Sequence, residues 1–396
     1  MSPTPYIFNQ LAGYIPKKAF DRLVNKYNGN SHVKDYTCWR HLLVMLWAQL
    51  TSRRSFRDIE ASLRAHADKL YAMGIGLNVS RNNLSHANAK RNVAIYRGLA
   101  RRMMAEAVSL PMHGKELTDL MCRFSLNGFF AIDSTTVSLD MRRYPWCTPQ
   151  KGCGGVKLHT MYDILRSVPR LCLVTGHEER DQTFMEDYPY EKGCLYIFDK
   201  AYMKTAGLNV INRCGAFFIV RRKRNVLYEE VERRECDGEK VLADQTIRFT
   251  SRWACLGYPD ALRMVTYYAE GKNETFQFLT NNFELPAETI AVLYKERWQI
   301  EMFFKWIKQH LRIVHFYGTS PNAVMIQIYT AITAYCAIAM AAEACGFEGS
   351  LYDFSNMVSV SLTERIWMAE LTNRYNILKE RKKKELLLWP DLFPGR

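Results

Sequence analysis

The chain has 396 residues, of which 54 are Lys or Arg and 40 are Asp or Glu, so its formal net charge is +14. This length allows two or three domains with a large core. A strong excess of positive charge is typical of a protein that binds a polyanion, usually nucleic acid, with an anionic membrane surface as the alternative. Eleven cysteines in a chain of this size do not make a disulfide scaffold, and their odd number leaves at least one unpaired.

Cysteine spacing and hydropathy narrow the class of protein further. Cys147 and Cys153 have five residues between them and no second pair follows, so we expect free thiols in a reducing cytoplasm rather than a zinc site. The first twenty residues lack the basic-then-apolar order of a secretion signal. The uncharged stretch 323–342 has the length of a membrane span. Its Ala, Thr and Tyr content, with Ser320 and Pro321 as a helix start, favours a buried helix instead.

Residues 1–122 are predicted to form an all-α domain, because apolar residues recur at helical spacing, as in "WRHLLVMLWAQL" at 39–50. Within it, a helix at 55–66 and a turn at 73–78 precede a polar helix that begins with Ser80 as its cap. This order is similar to a helix-turn-helix, and the alternative is an ordinary helical domain with a polar exposed face. The polar helix carries side chains that can contact bases or phosphates, namely Arg81, Asn82, Asn83, His86, Asn88, Lys90 and Arg91.

Short apolar runs of strand character begin near residue 126. They read "GFFAID" (128–133), "KLHTMYDI" (157–164), "PRLCLVTG" (169–176) and "CLYIFDK" (194–200), and "AFFIV" (216–220) follows a predicted helix at 201–213. Asp133 and Asp199 are each predicted to close a strand. A carboxylate is costly to bury there unless a cation or a donor meets it, and open sheets form their ligand sites at strand ends. These two acids are therefore candidate site residues.

The rest of the chain is predicted to contain a β-rich insertion, one long helix and a helical tail. Residues 222–275 are polar and basic and are expected to form exposed β structure. Pro286 begins a helix that is predicted to run to residue 311. The predicted domains are 1–122, 123–318 with the insertion, and 319–396.

The helix near residue 300 is predicted to have two faces. At 100° per residue, one apolar arc contains Leu293, Ile300, Phe303, Phe304, Ile307 and Leu311, and a polar stripe beside it contains Tyr294, Arg297, Glu301, Lys305 and Lys308. The simplest interpretation is a solvated face with an i,i+4 pair of Arg297 and Glu301. Because the stripe borders the apolar arc and combines one carboxylate with several phosphate-type donors, the pattern favours a functional site at the rim of the core.

Asp133, Asp199 and Glu301 together indicate a site for a hard cation. Three carboxylates without a His or Cys cluster offer oxygen ligands, which suit Mg²⁺. Two such ions about 3.5–4 Å apart can hold a phosphodiester, one activating the attacking oxygen and the other stabilising the leaving oxygen. The basic residues of the stripe supply the positive charge that phosphoryl transfer requires.

Four residues of the stripe match a known signature. The pattern Y-x-x-R-x-x-x-E-x-x-x-x-x-x-K is met by Tyr294, Arg297, Glu301 and Lys308. In this the chain resembles the bacterial insertion-sequence DDE transposases of the IS-four group. The segments "AIDSTT" at Asp133, "KLHT" and "YIFDKAY" at Asp199 look like the blocks that hold the first two acids, although Lys200 and Ala201 stand where the family usually has Arg and Gly. The segment "NQLAGYIPKKAFDRLVNKYNGN" is similar to the helical domain of many members.

The resemblance implies an α/β fold with an RNase H-like mixed sheet flanked by helices, a β-rich insertion before the glutamate helix, an all-α N-terminal domain and a helical C-terminal tail. It implies that Asp133, Asp199 and Glu301 are catalytic and hold two Mg²⁺ ions, for which Mn²⁺ can substitute. The implied reaction is cut-and-paste transposition: nicking, hairpin formation by the freed 3′-hydroxyl, hairpin opening and joining to target DNA. The implied partners are double-stranded DNA, as element ends and target, and a second copy of the chain in a synaptic complex at the bacterial nucleoid, with no membrane.

Several alternatives stay open at the level of sequence. The predicted DNA-binding residues are Tyr294, Arg297, Trp298, Lys305 and Lys308, and we expect Trp298 to stack on a base flipped out during hairpin formation, with a core position as the alternative. His159 is expected to be structural. The basic segments 221–224 and 381–384 either face DNA or are solvated. The same acids would serve a two-metal nuclease that does not join DNA, and in a DNA-binding regulator they would only balance charge.

Overall fold

The computed structural model describes residues 4–76, 79–147, 154–176, 178–179, 181–186, 188–236, 239–310 and 315–388. The chain divides into two compact units, one formed by residues 1–110 with 305–396 and the other by residues 111–304. The first unit is helical, and the second contains a mixed β-sheet. The first and third segments predicted from sequence therefore share one unit.

Consecutive helices form the N-terminal part of the helical unit, as predicted. They are α1 (Ile7–Ala12), α2 (Lys17–Lys26), α3 (Cys38–Leu50), α4 (Phe56–Arg64), α5 (Ala67–Leu70), α6 (Arg81–Lys90) and α7 (Val93–Ala107). Side-chain caps fix several of their starts: Thr37, Ser55 and Asn92 accept hydrogen bonds from the first-turn N–H groups of α3, α4 and α7. Helix α3 is buried along almost its whole length and supplies the core of this unit.

The polar helix predicted after Ser80 is α6, and the Ser80 side chain accepts a hydrogen bond from the backbone N–H three residues on, as expected of a cap. Most of its polar side chains are exposed. Asn88 and Arg91 are buried, and the Arg91 guanidinium donates to two backbone carbonyls in the loop before α3. Arg91 therefore ties the end of α6 to that loop, Asn88 is enclosed in the core, and the expectation that these two side chains face DNA is wrong. Residues 77 and 78 of the predicted turn lie outside the described residues.

The sheet of the second unit follows α8 (Lys115–Arg123) and has nine strands within the described residues. They are β1 (Gly128–Leu139), β2 (Gly154–Asp163), β3 (Val168–Gly176), β4 (Cys194–Phe198), β5 (Phe217–Arg221), β6 (Tyr228–Arg234), β7 (Val241–Phe249), β8 (Leu262–Ala269) and β9 (Glu274–Thr280). Their spatial order is β3-β2-β1-β4-β5-β9-β8-β7-β6. Strands β1, β4 and β5 are parallel, with α9 (Thr205–Arg213) crossing from β4 to β5, and the other neighbouring pairs are antiparallel. The mixed α/β class is confirmed.

Strand β1 is longer than predicted. It pairs with β2 along its length as far as Leu139, whereas its parallel pairing with β4 ends where Ile132 meets Phe198. The prediction that Asp133 closes a strand is therefore wrong. Asp133 lies within β1, at the point where β1 loses one of its two neighbouring strands. Asp199 directly follows β4 and does close its strand as predicted.

The β-rich insertion belongs to the same sheet. Its strands β6 to β9, with the short helix α10 (Arg252–Gly257), extend the sheet because β9 pairs antiparallel with β5. Arg263 and Asp244 form a buried ion pair across β8 and β7, with Nη2 2.6 Å from Oδ2. The prediction of β structure is confirmed, but the expectation of an exposed segment is wrong for β7 and β8, which carry core residues such as Ile247 and Met264.

The long helix predicted from Pro286 is two helices, α11 (Ala287–Lys295) and α12 (Trp298–His310). Glu296 and Arg297 form a turn between them, in which each backbone N–H bonds to the carbonyl three residues back rather than four. The apolar arc is confirmed by the buried side chains of Leu293, Ile300, Phe303, Phe304 and Ile307. Leu311 lies outside the described residues.

The C-terminal helices are α13 (Pro321–Ala344), α14 (Leu351–Ser361) and α15 (Met368–Leu388). The Ser320 side chain caps α13, and Pro321 lies in its first turn, as predicted. By length and composition α13 could cross a membrane, but 83% of its most apolar 18-residue stretch is buried inside the protein, where it packs against α3 and α7. Its burial agrees with the predicted core helix.

Candidate active site

The three predicted acids meet where β1 and β4 separate. The pairing of Ile132 with Phe198 places Asp133 and Asp199 at equivalent positions after two neighbouring parallel strands. Glu301, in the first turn of α12, lies near the same place, because Arg297 pairs with both Glu301 and Asp133, and Glu301 lines one cleft with Asp199. The sheet and the helix thus bring together three carboxylates that are far apart in sequence.

Arg297 joins two of these acids. Its Nη1 lies 3.3 Å from Oδ2 of Asp133, and its Nη2 lies 2.6 Å from Oε1 of Glu301. The Arg297 side chain is only 19% exposed. The i,i+4 pair with Glu301 therefore exists, but the arginine points at Asp133 and not into solvent, so the interpretation of a solvated face is wrong for this residue.

Burial dominates the electrostatics of Asp133. It raises the pKa of this carboxyl, to about 6, while the Ser134 N–H, which donates to Asp133 Oδ1 at 2.8 Å, and the charge of Arg297 lower it. An anion that has lost its hydration in this way gains from any added positive charge. Asp133 is thus the member of the cluster that a bound cation would stabilise most directly.

The chemistry of the three acids, rather than their present placement, suits a hard divalent cation. The three acids offer only carboxylate oxygens, which are the ligands that Mg²⁺ prefers. Among the described residues, no three His, Cys, Asp or Glu side chains are placed to hold a metal ion together, and the Arg297 guanidinium supplies the positive charge between Asp133 and Glu301. The Glu301 side chain is 56% exposed, so it has room to turn from Arg297 toward an ion.

An aromatic cleft of about 780 Å³ lies beside Asp199 and Glu301. Trp298 lines it and is 48% exposed, so the alternative of a core position for this residue is wrong. The other aromatic residues of the lining are Tyr267, Phe276, Phe278 and Tyr294. The ring centroids of Tyr294 and Phe278 are 4.6 Å apart, and the Arg221 guanidinium lies 4.4 Å from the Phe276 centroid. Aromatic side chains are the groups on which an unstacked base can stack, and Trp298 is the most exposed of these side chains.

A basic groove of about 870 Å³ shares Arg221 with this cleft. Its described lining residues, none of them acidic, are Lys200, Ala201, Arg221, Arg222, Lys223, Arg224, Asn225, Thr275 and Gln277. Gln277 accepts a hydrogen bond from Arg222 at 2.7 Å, and the Met203 carbonyl accepts one from Lys223 at 3.1 Å. The predicted basic segment 221–224 therefore lines a groove next to the second acid. Sequence reasoning missed Lys200 as its partner, although this lysine directly follows Asp199.

The remaining candidate residues lie elsewhere. Lys305 is exposed and Lys308 is partly buried, further along α12 in the part that belongs to the helical unit, and burial lowers the pKa of Lys308. His159 is fully buried, with Nε2 3.0 Å from Oγ1 of Thr175, and burial lowers its pKa to about 4. It is a structural histidine, as expected. The basic segment 381–384 lies on α15.

A carboxylate cluster beside a basic groove is the arrangement of enzymes that act on phosphodiesters. Residues 125–337 match a family model described as "Transposase DDE domain", and residues 4–76 match one described as "Domain of unknown function (DUF4372)".

Similar curated proteins are also named as transposases. The chain is 34% identical over 287 residues to "Putative transposase y4zB" of Sinorhizobium fredii, covering 71% of this chain and 77% of that protein. It is 30% identical over 207 residues (52% and 54%) to "Probable transposase for insertion sequence element IS5377" of Geobacillus stearothermophilus. It is 23% identical over 378 residues (90% and 99%) to "Putative transposase for insertion sequence element IS4SA" of a Synechocystis strain.

A solved structure of a piggyBac transposase synaptic complex with hairpin DNA aligns with 98% of this chain and 85% of that one, at 10% identity and a TM-score of 0.45, which is too low to bear on fold or mechanism. The family model and the first relative are decisive. The chain belongs to the DDE transposases, which are DNA-processing enzymes, and membership implies a divalent metal cofactor.

Proposed function

We propose that this chain is the transposase of an insertion sequence and that Asp133, Asp199 and Glu301 are its catalytic acids. The observation that carries the proposal is that the partly buried Arg297 pairs with both Asp133 and Glu301, while Asp199 follows the strand next to Asp133. The order β3-β2-β1-β4-β5, in which only β2 runs antiparallel to its neighbours, supports an RNase H-like core. The relatives named for insertion-sequence elements support the substrate.

The three acids would hold two Mg²⁺ ions, with Mn²⁺ able to substitute. When bound, the ions activate the attacking oxygen and stabilise the leaving oxygen. In this proposal Arg297 keeps Asp133 and Glu301 in place while no cation is bound. Once Glu301 turns away, the Arg297 guanidinium can bind a phosphate. Tyr294, on the preceding helix, can also bind a phosphate, and so can Lys305 and Lys308 further along α12.

The two cavities suggest how DNA is held. The basic groove carries positive charge without aromatic rings, so it suits the phosphate backbone. The aromatic cleft suits a base that has left the duplex, and we assign Trp298 to stack on it when a hairpin forms, as the strained turn favours base flipping. A homodimer pairing two element ends, in the bacterial cytoplasm at the nucleoid, completes the proposal.

Joining of DNA tests this function. Purified protein, Mg²⁺, pre-cleaved element ends and a target plasmid should give joined product, and Glu301→Gln should abolish it. Glu288→Gln, an exposed carboxylate on α11, is the matched control and should join ends at the wild-type rate. DNA that is cut but never joined would instead identify a nuclease, and bound DNA that is neither cut nor joined would identify a regulator.

A further inference from the structure

A polar cluster lies on the sheet face opposite Asp133. Side chains alternate along a strand, and Phe130 and Ile132 point into a buried core, so Ser134 faces that core side and Asp133 faces the other. The Ser134 hydroxyl donates to Oδ1 of Asp181 at 2.5 Å. Nζ of Lys157, on β2, lies 3.2 Å from the same oxygen. Asp181 therefore contacts both β1 and β2 immediately behind the first acid.

The same cluster extends to the turn after the second acid. Tyr202 ends the short helical turn that follows Asp199 and is buried. Burial raises the pKa of Tyr202, the charges of Asp133 and Asp181 add to this, and the Ser134 hydroxyl lowers it. Asp181 begins a 3-10 helix that packs against this turn. One carboxylate thus lies between the segments that carry Asp133 and Asp199.

Strand β1 needs such an anchor at this point. Beyond Ile132 it has no further pairing with β4, so its backbone is held from the β2 side alone. The Ser134–Asp181 hydrogen bond supplies a second attachment, and Lys157 fixes Asp181 in turn, since it also donates to the Glu179 carbonyl at 2.7 Å. A shift of about 1 Å in a catalytic group can cost about 100-fold in rate.

We propose that Asp181 is a positioning residue that sets the separation of Asp133 and Asp199 from behind the sheet, through Ser134 and Lys157. The proposal rests on the proposed function, because it takes those two acids as metal ligands. It makes Asp181 part of the support for the metal site without contact to metal or DNA. Residues that orient metal ligands in this way typically contribute about 10–100-fold to metal affinity.

Metal affinity of the folded protein tests this role. Mn²⁺ binding to full-length protein, followed by electron paramagnetic resonance, should weaken about 10–100-fold in Asp181→Ala. Ser134→Ala should act in the same direction. Asp181→Asn should have a smaller effect, because its carboxamide oxygen still accepts from Ser134. The Mg²⁺ concentration that gives half-maximal nicking should rise in parallel.

Glu186→Ala is the matched control. It removes a carboxylate at the other end of the same 3-10 helix, where Glu186 pairs with Lys204 at 2.5 Å on the surface, and should leave Mn²⁺ affinity unchanged. A purely structural role would lower the melting temperature of Asp181→Ala without changing the Mn²⁺ affinity of the folded fraction, and that result would overturn the positioning role alone. Wild-type protein that binds no Mn²⁺ and cuts no DNA would overturn the proposed function as well.

Discussion

Asp133→Asn should stabilise the metal-free protein at neutral pH. Burial raises the pKa of this carboxyl from 3.8 to about 6, so above pH 6 the folded state carries an anion that the unfolded chain accommodates more easily. The amide has the shape of the protonated acid and avoids this cost. At about 1.4 kcal/mol for each pKa unit, the shift of about two units sets an upper limit of about 3 kcal/mol on the gain.

The sign of the pH dependence follows from the same shift. Between pH 3.8 and 6 the folded state binds more protons than the unfolded state, so wild-type stability falls as the pH rises through this range. The difference in the free energy of unfolding between Asp133→Asn and wild type should reach its full value above pH 6 and should vanish as the pH falls toward 4. Thermal melts in EDTA at pH 4.5, 6 and 8 measure this difference, at about 1 °C for each kcal/mol in a chain of 396 residues.

The control is Asp140→Asn, which changes an exposed aspartate just after β1. Its difference in stability from wild type should be the same at all three pH values. If Asp133→Asn were less stable than wild type at pH 8, or if its advantage were as large at pH 4.5 as at pH 8, then desolvation would not govern Asp133. The ion pair with Arg297 would then be the stronger effect. The conclusion that burial destabilises the Asp133 anion, and that a bound cation would stabilise it, would be refuted.

Two further predictions concern DNA. Trp298→Ala should slow hairpin formation about 5- to 150-fold, which corresponds to a stacking energy of about 1–3 kcal/mol, while first-strand nicking changes little. The control is Trp253→Ala, which removes an exposed tryptophan of α10. Equal slowing of both steps by Trp298→Ala would exclude stacking. Arg224→Ala should reduce the slope of log affinity against log salt by about 0.9, because the variant neutralises one phosphate fewer. The control is Arg248→Ala, which removes an exposed arginine of β7 and should leave the slope unchanged. Equal slopes for the two variants would show that Arg224 does not contact DNA.

Sequence patterns indicate the candidate site residues more completely than they indicate the local structure around them. Asp199 closes a strand as its local pattern indicates, but the length of β1 beyond Asp133 depends on pairing with β2, which no local pattern contains. The turn at Arg297 is not predictable either, since nothing in "YKERWQ" opposes a continuous helix. That turn is a tertiary feature, and it accounts for the exposure of Trp298, which a continuous helical wheel places at the border of the core.

Proximity between distant segments lies beyond sequence reasoning altogether. Lys200 and Arg224 line one groove because β4 and β5 are parallel neighbours, and this adjacency exists only in the folded sheet. Asp181 carries no sequence signal, because it follows a strand in a polar stretch where an acid is ordinary. Its partners Ser134 and Lys157 are brought to it by the register of β1 and β2.

The pairing of β5 with β9 fixes where the insertion leaves and rejoins the central strands. The chain leaves the central strands at Arg221 and returns beside it, since Arg221 pairs with Phe278 in the antiparallel register. The segment between these positions also supports the helices that follow, because β7 and β8 pack against α11 and the Arg263 guanidinium donates to the Leu285 carbonyl just before α11. A change in its length or packing is therefore expected to alter the position of Glu301 as well as the wall of the aromatic cleft.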